Sequence, residues 1–374
     1  MIKKNVQNLI SWVHTSRIKN TNSVTIKKKV SYLKRNKRYK PFPFDKQEVT
    51  IKKFFPLSKS DKLYFDFFYS VNNIASPDYI PLGLYYSFIE PVLNNRLLTA
   101  AIKDKNFYQL FMKDIPAPKT IMRKINGIYY NEDFQQIVPD DEFISELNKN
   151  YDKLILKPSV ESGAGKSIYL FQKKNNFLSD NNVKLSSVFF SSYKPDFIIQ
   201  EFVNQHPYFK KFNPSSNNTI RIFTYRSVKN DCINVLHTLL RIGKEGSYLD
   251  HDNFGGVAIS IKGNFHFNEC SYTIDGDKKT IYNDISFKDE GKVPYISEIQ
   301  NLAKQIAGKI FYARLLAMDF TIDENGKPLL LEINCWNNGV SQYQMNNGSL
   351  FNEFTLEILE YCKSVGKKKK ILII

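Results

Sequence analysis

Two short apolar runs near the C-terminal end, Met318-Asp319-Phe320 and Leu329-Leu330-Leu331-Glu332-Ile333-Asn334, carry oxygen ligands in surroundings that favour hydrocarbon. Both have the composition and length of β-strands. A carboxylate taken into a buried sheet is costly unless it is paired or binds a metal, so Asp319, Glu332 and Asn334 require a cation or strong hydrogen-bond partners. Glu332 and Asn334 are two residues apart, which places them on one strand face where they can share an ion. An oxygen-only ligand set points to Mg²⁺ or Mn²⁺, and Mg²⁺ held in this way usually also holds nucleotide phosphates. The simpler reading is a polar strand end satisfied by local hydrogen bonds, and these two strands alone leave both readings open.

The rest of the chain bears on that choice. Its 374 residues suffice for two domains or one large subdivided domain, and hydrophobic and aromatic contents of 42% and 14% exclude a disordered binder. A formal charge of +16 invites a nucleic-acid reading. The lysines, however, crowd the first fifty-odd residues and the run Lys367-Lys368-Lys369-Lys370, away from the motif-rich middle. That distribution speaks against nucleic acid and suits acidic substrates, nucleotides or an anionic membrane surface. The four cysteines form no CxxC pair, so neither a zinc site nor a disulfide framework is indicated, and a reducing cytoplasm is the expected setting. No run approaches the roughly 18 apolar residues of a spanning helix. The expectation is a protein at most peripheral to the inner face of a membrane.

In chain order, residues 1–55 read as a basic, partly helical extension in which Val6, Leu9, Ile10 and Val13 recur at helical spacing. Residues 56–115 read as an aromatic-rich helical region with segments near 61–73 and 84–97. From Pro116 strands and helices alternate. Short strands are expected at Lys119–Met122 and Gly127–Tyr130, and a helix capped by Asp140 or Asp141 should run to about Leu147. The apolar strand Lys153–Pro158 carries Lys157 close to its end, just before Glu161-Ser162-Gly163-Ala164-Gly165-Lys166-Ser167. Glycines here let successive amides turn toward one anion, and Lys157 is well placed to neutralise phosphate oxygens. The loop is not a P-loop, because the GxxxxGK(S/T) spacing is absent and a strand follows it. The strand Asp196–Val203 ends in Gln200-Glu201-Phe202-Val203, a hinge able to present main-chain groups to an adenine edge, or an ordinary strand end. In Asn217–Thr224, Asn218, Ile220 and Ile222 share one face and Thr219, Arg221 and Phe223 the other; an arginine in such company usually meets an anion.

The order of these pieces resembles the ATP-grasp superfamily. Asp104-Lys105-Asn106, Ile115-Pro116-Ala117-Pro118-Lys119-Thr120, His206-Pro207, Asn217 to Arg221, Leu240-Arg241-Ile242-Gly243 and Asp252-Asn253-Phe254-Gly255-Gly256 narrow it to the sugar-transfer-associated ATP-grasp family, over roughly residues 95–362. The resemblance implies an α+β fold of two subdomains clamping ATP, at 116–203 with a glycine flap and at 204–374 with the metal site, behind a helical N-terminal region. It implies that Lys119 and Lys157 hold ATP phosphates and that Gly163, Ala164, Gly165, Lys166 and Ser167 close over them. Gln200, Glu201, Phe202 and Val203 would contact adenine, with Asn218 also at the cofactor. His206 stands where an ATP-grasp protein usually offers an acidic ribose ligand, a departure from the superfamily pattern. Asp319, Glu332 and Asn334 would hold Mg²⁺, and Arg221 would stabilise charge on the γ-phosphoryl group and on an acyl phosphate.

The acceptor is expected along Arg241, Asp252, Asn253, Gly255 and Gly256, where Arg241 can clamp a carboxylate and the glycines admit close backbone approach; the alternative is a surface loop with a hairpin turn. The inventory is rich in lysine, arginine and oxygen ligands and poor in nucleophile–base pairs, which fits ligation better than hydrolysis. The expected activity is ATP-dependent joining of a small-molecule or saccharide carboxylate, such as a uronic acid, to an amino acid or amine. The family adds surface-polysaccharide assembly as its setting. An ATP-grasp phosphotransferase and a non-catalytic polyanion or membrane-surface binder are the alternatives.

Overall fold

The computed structural model describes residues 2–160, 167–173, 178–179, 182–247 and 255–366. Gly163, Ala164, Gly165, Lys166, Asp252 and Asn253 lie outside the described residues. The chain opens with helix α1 (Ile2–Arg35) and continues through α2 (Lys59–Asn72). Ser58 starts α2 by a reciprocal cap: its hydroxyl accepts from the Asp61 amide at 3.2 Å, and the Asp61 carboxylate accepts from the Ser58 amide at 2.9 Å. The helix expected near 84–97 is shorter and broken into α3 (Leu82–Leu84), a π-helical turn (Tyr85–Ile89) and α4 (Glu90–Leu93). Pro91 lacks an N–H and crowds the preceding turn, and the widened turn absorbs it. Asp104 then caps α5 (Lys105–Phe111) through the Asn106 amide at 2.9 Å.

The smaller unit contains β1 (Thr120–Ile125), β2 (Ile128–Asn131), α6 (Asp141–Asn150), β3 (Lys153–Pro158), β4 (Tyr169–Gln172), β5 (Leu178–Ser179), α7 (Ser187–Ser192) and β6 (Phe197–Glu201). Its antiparallel sheet runs in the order β2-β1-β6-β3-β4-β5. Leu154, Leu156, Phe197 and Ile199 turn one face of it toward Leu147 of α6 and Phe190 of α7. The alternate residues Ile155, Lys157, Ile198 and Gln200 therefore face the other way.

The larger unit follows with α8 (Pro207–Lys210), β7 (Thr219–Arg226), β8 (Ile233–Ile242), β9 (Val257–Ser260), β10 (Ser271–Tyr272), β11 (Lys278–Lys279), a hairpin of β12 (Ile281–Tyr282) and β13 (Ile285–Ser286), and α9 (Ile296–Lys309). It closes with β14 (Leu315–Ile322), β15 (Pro328–Asn334), α10 (Ser341–Asn347) and α11 (Thr355–Gly366). Its sheet order is β11-β10-β9-β8-β7-β14-β15. The alternation read in β7 holds: Ile220 and Ile222, with Met318 and Phe320 of β14, pack against Ile299 and Ile306 of α9. Phe223 and Tyr225 turn to the opposite core, shared with Phe65 and Phe68 of α2. Residues 1–55 are built into that same core through Ile26, Val30 and Leu33 of α1 and through Phe42 and Ile51. Where the helices stop covering this second face, the sheet presents its polar row.

Candidate active site

Register assembles the row. Arg221 of β7 lies opposite Asp319 of β14, Asp319 lies opposite Glu332 of β15, and Arg241 of β8 lies opposite Thr219. Residues opposite one another in neighbouring strands project to the same face, so four strands deliver Arg241, Arg221, Asp319 and Glu332 to one surface. Arg221 grips Asp319 with both prongs, Nε to Oδ1 at 2.6 Å and Nη2 to Oδ2 at 2.5 Å, and Arg241 Nη1 stands 3.7 Å from the same Oδ2. Burial opposes the Arg221 charge, but Asp319 more than offsets it and holds the guanidinium protonated. Asp319, expected as a metal ligand, is thus the anchor of an arginine in this structure.

At the neighbouring strand, Lys105 Nζ lies 2.9 Å from Glu332 Oε1. Burial alone would raise the Glu332 carboxyl; Lys105 foremost, with Arg221 and Lys157 behind it, holds it down to about 2. Lys157 faces the same cluster from the small sheet. Burial, then repulsion from Lys105, pushes its amine down to about 7 against the pull of Glu332. Lys105 also donates its amide to the Ser159 carbonyl at 2.9 Å, fastening the start of α5 to the end of β3. One residue therefore ties the two sheets together across the cleft.

The oxygen donors test the metal reading. Asn334 is two residues beyond Glu332 on the same strand face and carries an amide oxygen, while its buried Nδ2, a donor that no cation can use, has no hydrogen-bond partner; the Glu332 side chain keeps 32% of its surface exposed. The fit to a hard cation therefore rests on the Glu332 carboxylate and on the Asn334 carbonyl oxygen alone. Asp319 fits less well, because Arg221 takes both of its oxygens. Among the described residues no group of three His, Cys, Asp or Glu side chains comes together.

Other expected residues lie elsewhere or are already engaged. Lys119 is half exposed, 3.8 Å from Glu132 and beside the Tyr151 ring. In the hinge, the Glu201 and Phe202 amides donate to the Lys119 and Lys153 carbonyls at 3.0 and 3.2 Å, which leaves these donors to the small sheet and not to an adenine edge. Gln200 donates to the Pro118 carbonyl and Thr120 Oγ1, while its buried Oε1 has no partner. Val203 follows, partly buried.

His206 caps α8, its Nδ1 accepting the Tyr208 amide at 3.2 Å, and its Nε2 sits 3.3 Å from Tyr295 Oη. Asn218 is fully buried and its Nδ2 meets Gln205 Oε1, the Phe209 carbonyl and the Asn213 carbonyl. It is a staple of the loop before β7 and has no donor to spare for a cofactor. Ser167 takes a φ of 61° and accepts from Tyr193 Oη at 2.9 Å. Gly255 has a φ of +88° with Lys244 beside it, and Gly256 is buried at the entry to β9.

Two residues were not singled out for this site from the sequence. Lys105 carried a signal, since an aspartate cap followed directly by lysine fixes that side chain at a helix start. Tyr343 carried none. Its ring stacks on Phe223 at 4.8 Å and on His237 at 5.1 Å, and its buried hydroxyl has no hydrogen-bond partner. Burial foremost raises its phenol, and Arg221, Asp319 and Arg241 all act on it. Gly339, at a φ of +66°, covers Arg221 so closely that a Cβ would stand 3.2 Å from Nη1.

The profile of the family described as sugar-transfer associated ATP-grasp matches residues 86–358, nearly three quarters of the chain. The chain belongs to this family. Its fold is accordingly the α+β ATP-grasp fold with a helical N-terminal region. No curated protein matches the sequence.

Among solved structures, the chain is similar to N5-carboxyaminoimidazole synthetase from Staphylococcus aureus, at 10% identity and a TM-score of 0.39 over 69% of this chain and 51% of that one. It is similar to the ATP-grasp ligase PsnB in complex with a minimal-precursor variant, Mg and ADP, at 13% identity and a TM-score of 0.41 over 72% and 61%. D-alanyl-alanine synthetase A from Vibrio cholerae O1 biovar eltor shows 12% identity and a TM-score of 0.39 over 71% and 66%. The chain thus spans about half the length of the first of these and about two thirds of the last.

Proposed function

We propose that this ATP-grasp protein is an ATP-dependent carboxylate–amine ligase working through an acyl phosphate. The observation that carries the reading is the meeting of Lys105 and Lys157 with Glu332 and Asn334 on one side and of Arg221 and Arg241 on the other. Lysines and an oxygen pair suit a metal nucleotide; two arginines converging beside them suit a second anion, the carboxylate to be activated. Glu332 and Asn334 would hold Mg²⁺, with Mn²⁺ as the substitute, and the ion would offset phosphate charge. Lys157 and Lys105 bind and orient the phosphates. Arg221, held rigid by Asp319, stabilises charge on the γ-phosphoryl group as it leaves ADP for a carboxylate oxygen. Arg241 orients that carboxylate. The amine then attacks the acyl carbon, phosphate departs, and a carbon–nitrogen bond replaces the acyl–phosphate bond.

Membership of the sugar-transfer-associated family supports a sugar-linked substrate, and we propose a uronic-acid or related carboxylate joined to an amino acid or amine in surface-polysaccharide biosynthesis at the cytoplasmic face. The test is release of ADP and phosphate in the presence of candidate carboxylates and amines. Release that needs both supports ligation. A stable phosphorylated product formed without amine makes the protein a phosphotransferase, and absence of turnover with persistent polyanion binding makes it a binder.

A further inference from the structure

Arg123 of β1 is one of the largest side chains that the fold buries completely, and its Nε, Nη1 and Nη2 all lack a hydrogen-bond partner. The Phe134 ring lies 4.4 Å from Cζ and attracts the cation, but it is no substitute for a carboxylate facing the five N–H donors. Burial foremost pulls the guanidinium down to about 10, against Asp104 and then Glu132, so it is charged at neutral pH. Both acids are engaged elsewhere. Asp104 Oδ1 accepts the Asn106 amide at 2.9 Å at the start of α5, and Glu132, half exposed, stands 3.8 Å from Lys119. A buried guanidinium in this state is costly, and an anion brought within reach of its field offsets the cost.

Strand register says where such an anion would lie. Arg123 is opposite Ile198 of β6, and Ile198 is opposite Lys157 of β3. The three residues share the sheet face that turns away from α6 and α7, with two strand spacings, ~10 Å, between the Arg123 and Lys157 backbones. Helix α5 packs on β6. Its first turn is fastened on both sides, the Lys105 amide to the Ser159 carbonyl just past β3 at 2.9 Å and Asn106 Nδ2 to the Lys124 carbonyl of β1 at 3.4 Å. Arg123 therefore stands at the root of the helix that presents Lys105, across Ile198 from Lys157. In this neighbourhood three cations, Arg123, Lys105 and Lys157, meet two carboxylates, Asp104 and Glu332.

We propose that Arg123 is a third cation of the nucleotide site, acting through its field, without contact, on a phosphate chain held by Lys105 and Lys157. Such a role rests on the nucleotide reading given above and needs none of the chemistry that follows binding. Over ~10 Å at an effective dielectric of ~20, one unit charge alters the affinity for another by about tenfold. A residue that only packs would behave differently, since its removal would weaken the fold and leave phosphate recognition alone.

The test is calorimetric titration of the full chain with Mg·ADP and with adenosine, beside urea unfolding of the protein without nucleotide, all at neutral pH. Arg123→Met keeps the aliphatic stem and removes the charge. It is expected to bind Mg·ADP about tenfold more weakly, to bind adenosine as the wild type does, and to unfold at a urea concentration no lower than the wild type. Arg123→Lys restores the charge and is expected to bring Mg·ADP affinity back to within about threefold. Undiminished Mg·ADP binding by the Met variant overturns the proposal, and so does an equal loss toward adenosine. A Met variant clearly less stable than the wild type also overturns it and makes Arg123 a residue that holds α5 to β1. Failure of the wild type to bind Mg·ADP overturns the nucleotide reading together with this one, whereas wild-type binding that Arg123→Met leaves untouched removes this one alone.

Discussion

Lys105→Met tests the geometry of the cleft without assuming any activity. The substitution keeps the aliphatic stem but removes the ammonium 2.9 Å from Glu332 Oε1. In the folded protein the Glu332 carboxyl is held down to about 2 from its ordinary 4.5, a difference worth roughly 3 kcal/mol at neutral pH. Solvent reaches 32% of its side chain, and discounting for that screening leaves on the order of 2 kcal/mol to be lost when its chief partner goes. The pH dependence follows from the direction of the shift. A depressed carboxyl contributes stability above 4.5 and loses it as pH falls toward about 2. Urea unfolding should therefore show the variant less stable by about 2 kcal/mol at pH 7, with the gap reduced to roughly half or less at pH 3. The Lys157 amine should also rise, from about 7, once Lys105 no longer repels it. Equal stability of variant and wild type at pH 7, or a gap that does not change between the two pH values, would refute the Lys105–Glu332 pairing.

Asp319→Asn should be more damaging to the fold than loss of a metal ligand alone. It leaves Arg221 buried without its bidentate partner, at a cost of about 3–5 kcal/mol by thermal or urea unfolding. Tyr343→Phe should leave stability within about 0.5 kcal/mol, since the lost hydroxyl bonds nothing, yet lower ATP turnover about tenfold or more; unchanged turnover would make Tyr343 a packing residue. Nucleotide affinity measured by calorimetry should fall as pH rises through about 7, where free Lys157 loses its proton, and Lys157→Arg should abolish that dependence. Stability should rise between about 7 and 10.5, because the unfolded lysine binds the proton the folded one has released. Deleting residues 1–40 removes Ile26, Val30 and Leu33 from the core at roughly 2 kcal/mol for each, and circular dichroism should show an unfolded or partly folded chain.

The sequence was most legible where the rule was local. Alternation in β7 put Arg221 on the face opposite Ile220 and Ile222, and the two-residue spacing of Glu332 and Asn334 put both on one face of β15. Capping chemistry placed the start of α6. What could not be read locally was the choice among lysines and amides. Lys119 and Lys157 both look like strand lysines facing phosphate, but they stand at the start of β1 and near the end of β3, two strands separated by β6, and the charged partner of Lys119 is Glu132 while that of Lys157 is Glu332. Asn218 and His206 have the chemistry of ligands. The Asn218 amide group is spent on Gln205, Phe209 and Asn213, partners brought by the turn around α8, while the two ring nitrogens of His206 stand against the Tyr208 amide and Tyr295 Oη.

The same logic explains why Lys105 stands out only in three dimensions. Its amide belongs to the small sheet through Ser159, and its ammonium belongs to the large sheet through Glu332. A phosphate chain entering between them would compete with Glu332 for that ammonium and re-protonate Lys157 beside it. Both changes draw positive charge toward one anion from two separate sheets. On the proposed function, a nucleotide would bear on both sheets at once, and it would do so through a residue that the strands opening the sequence argument do not contain.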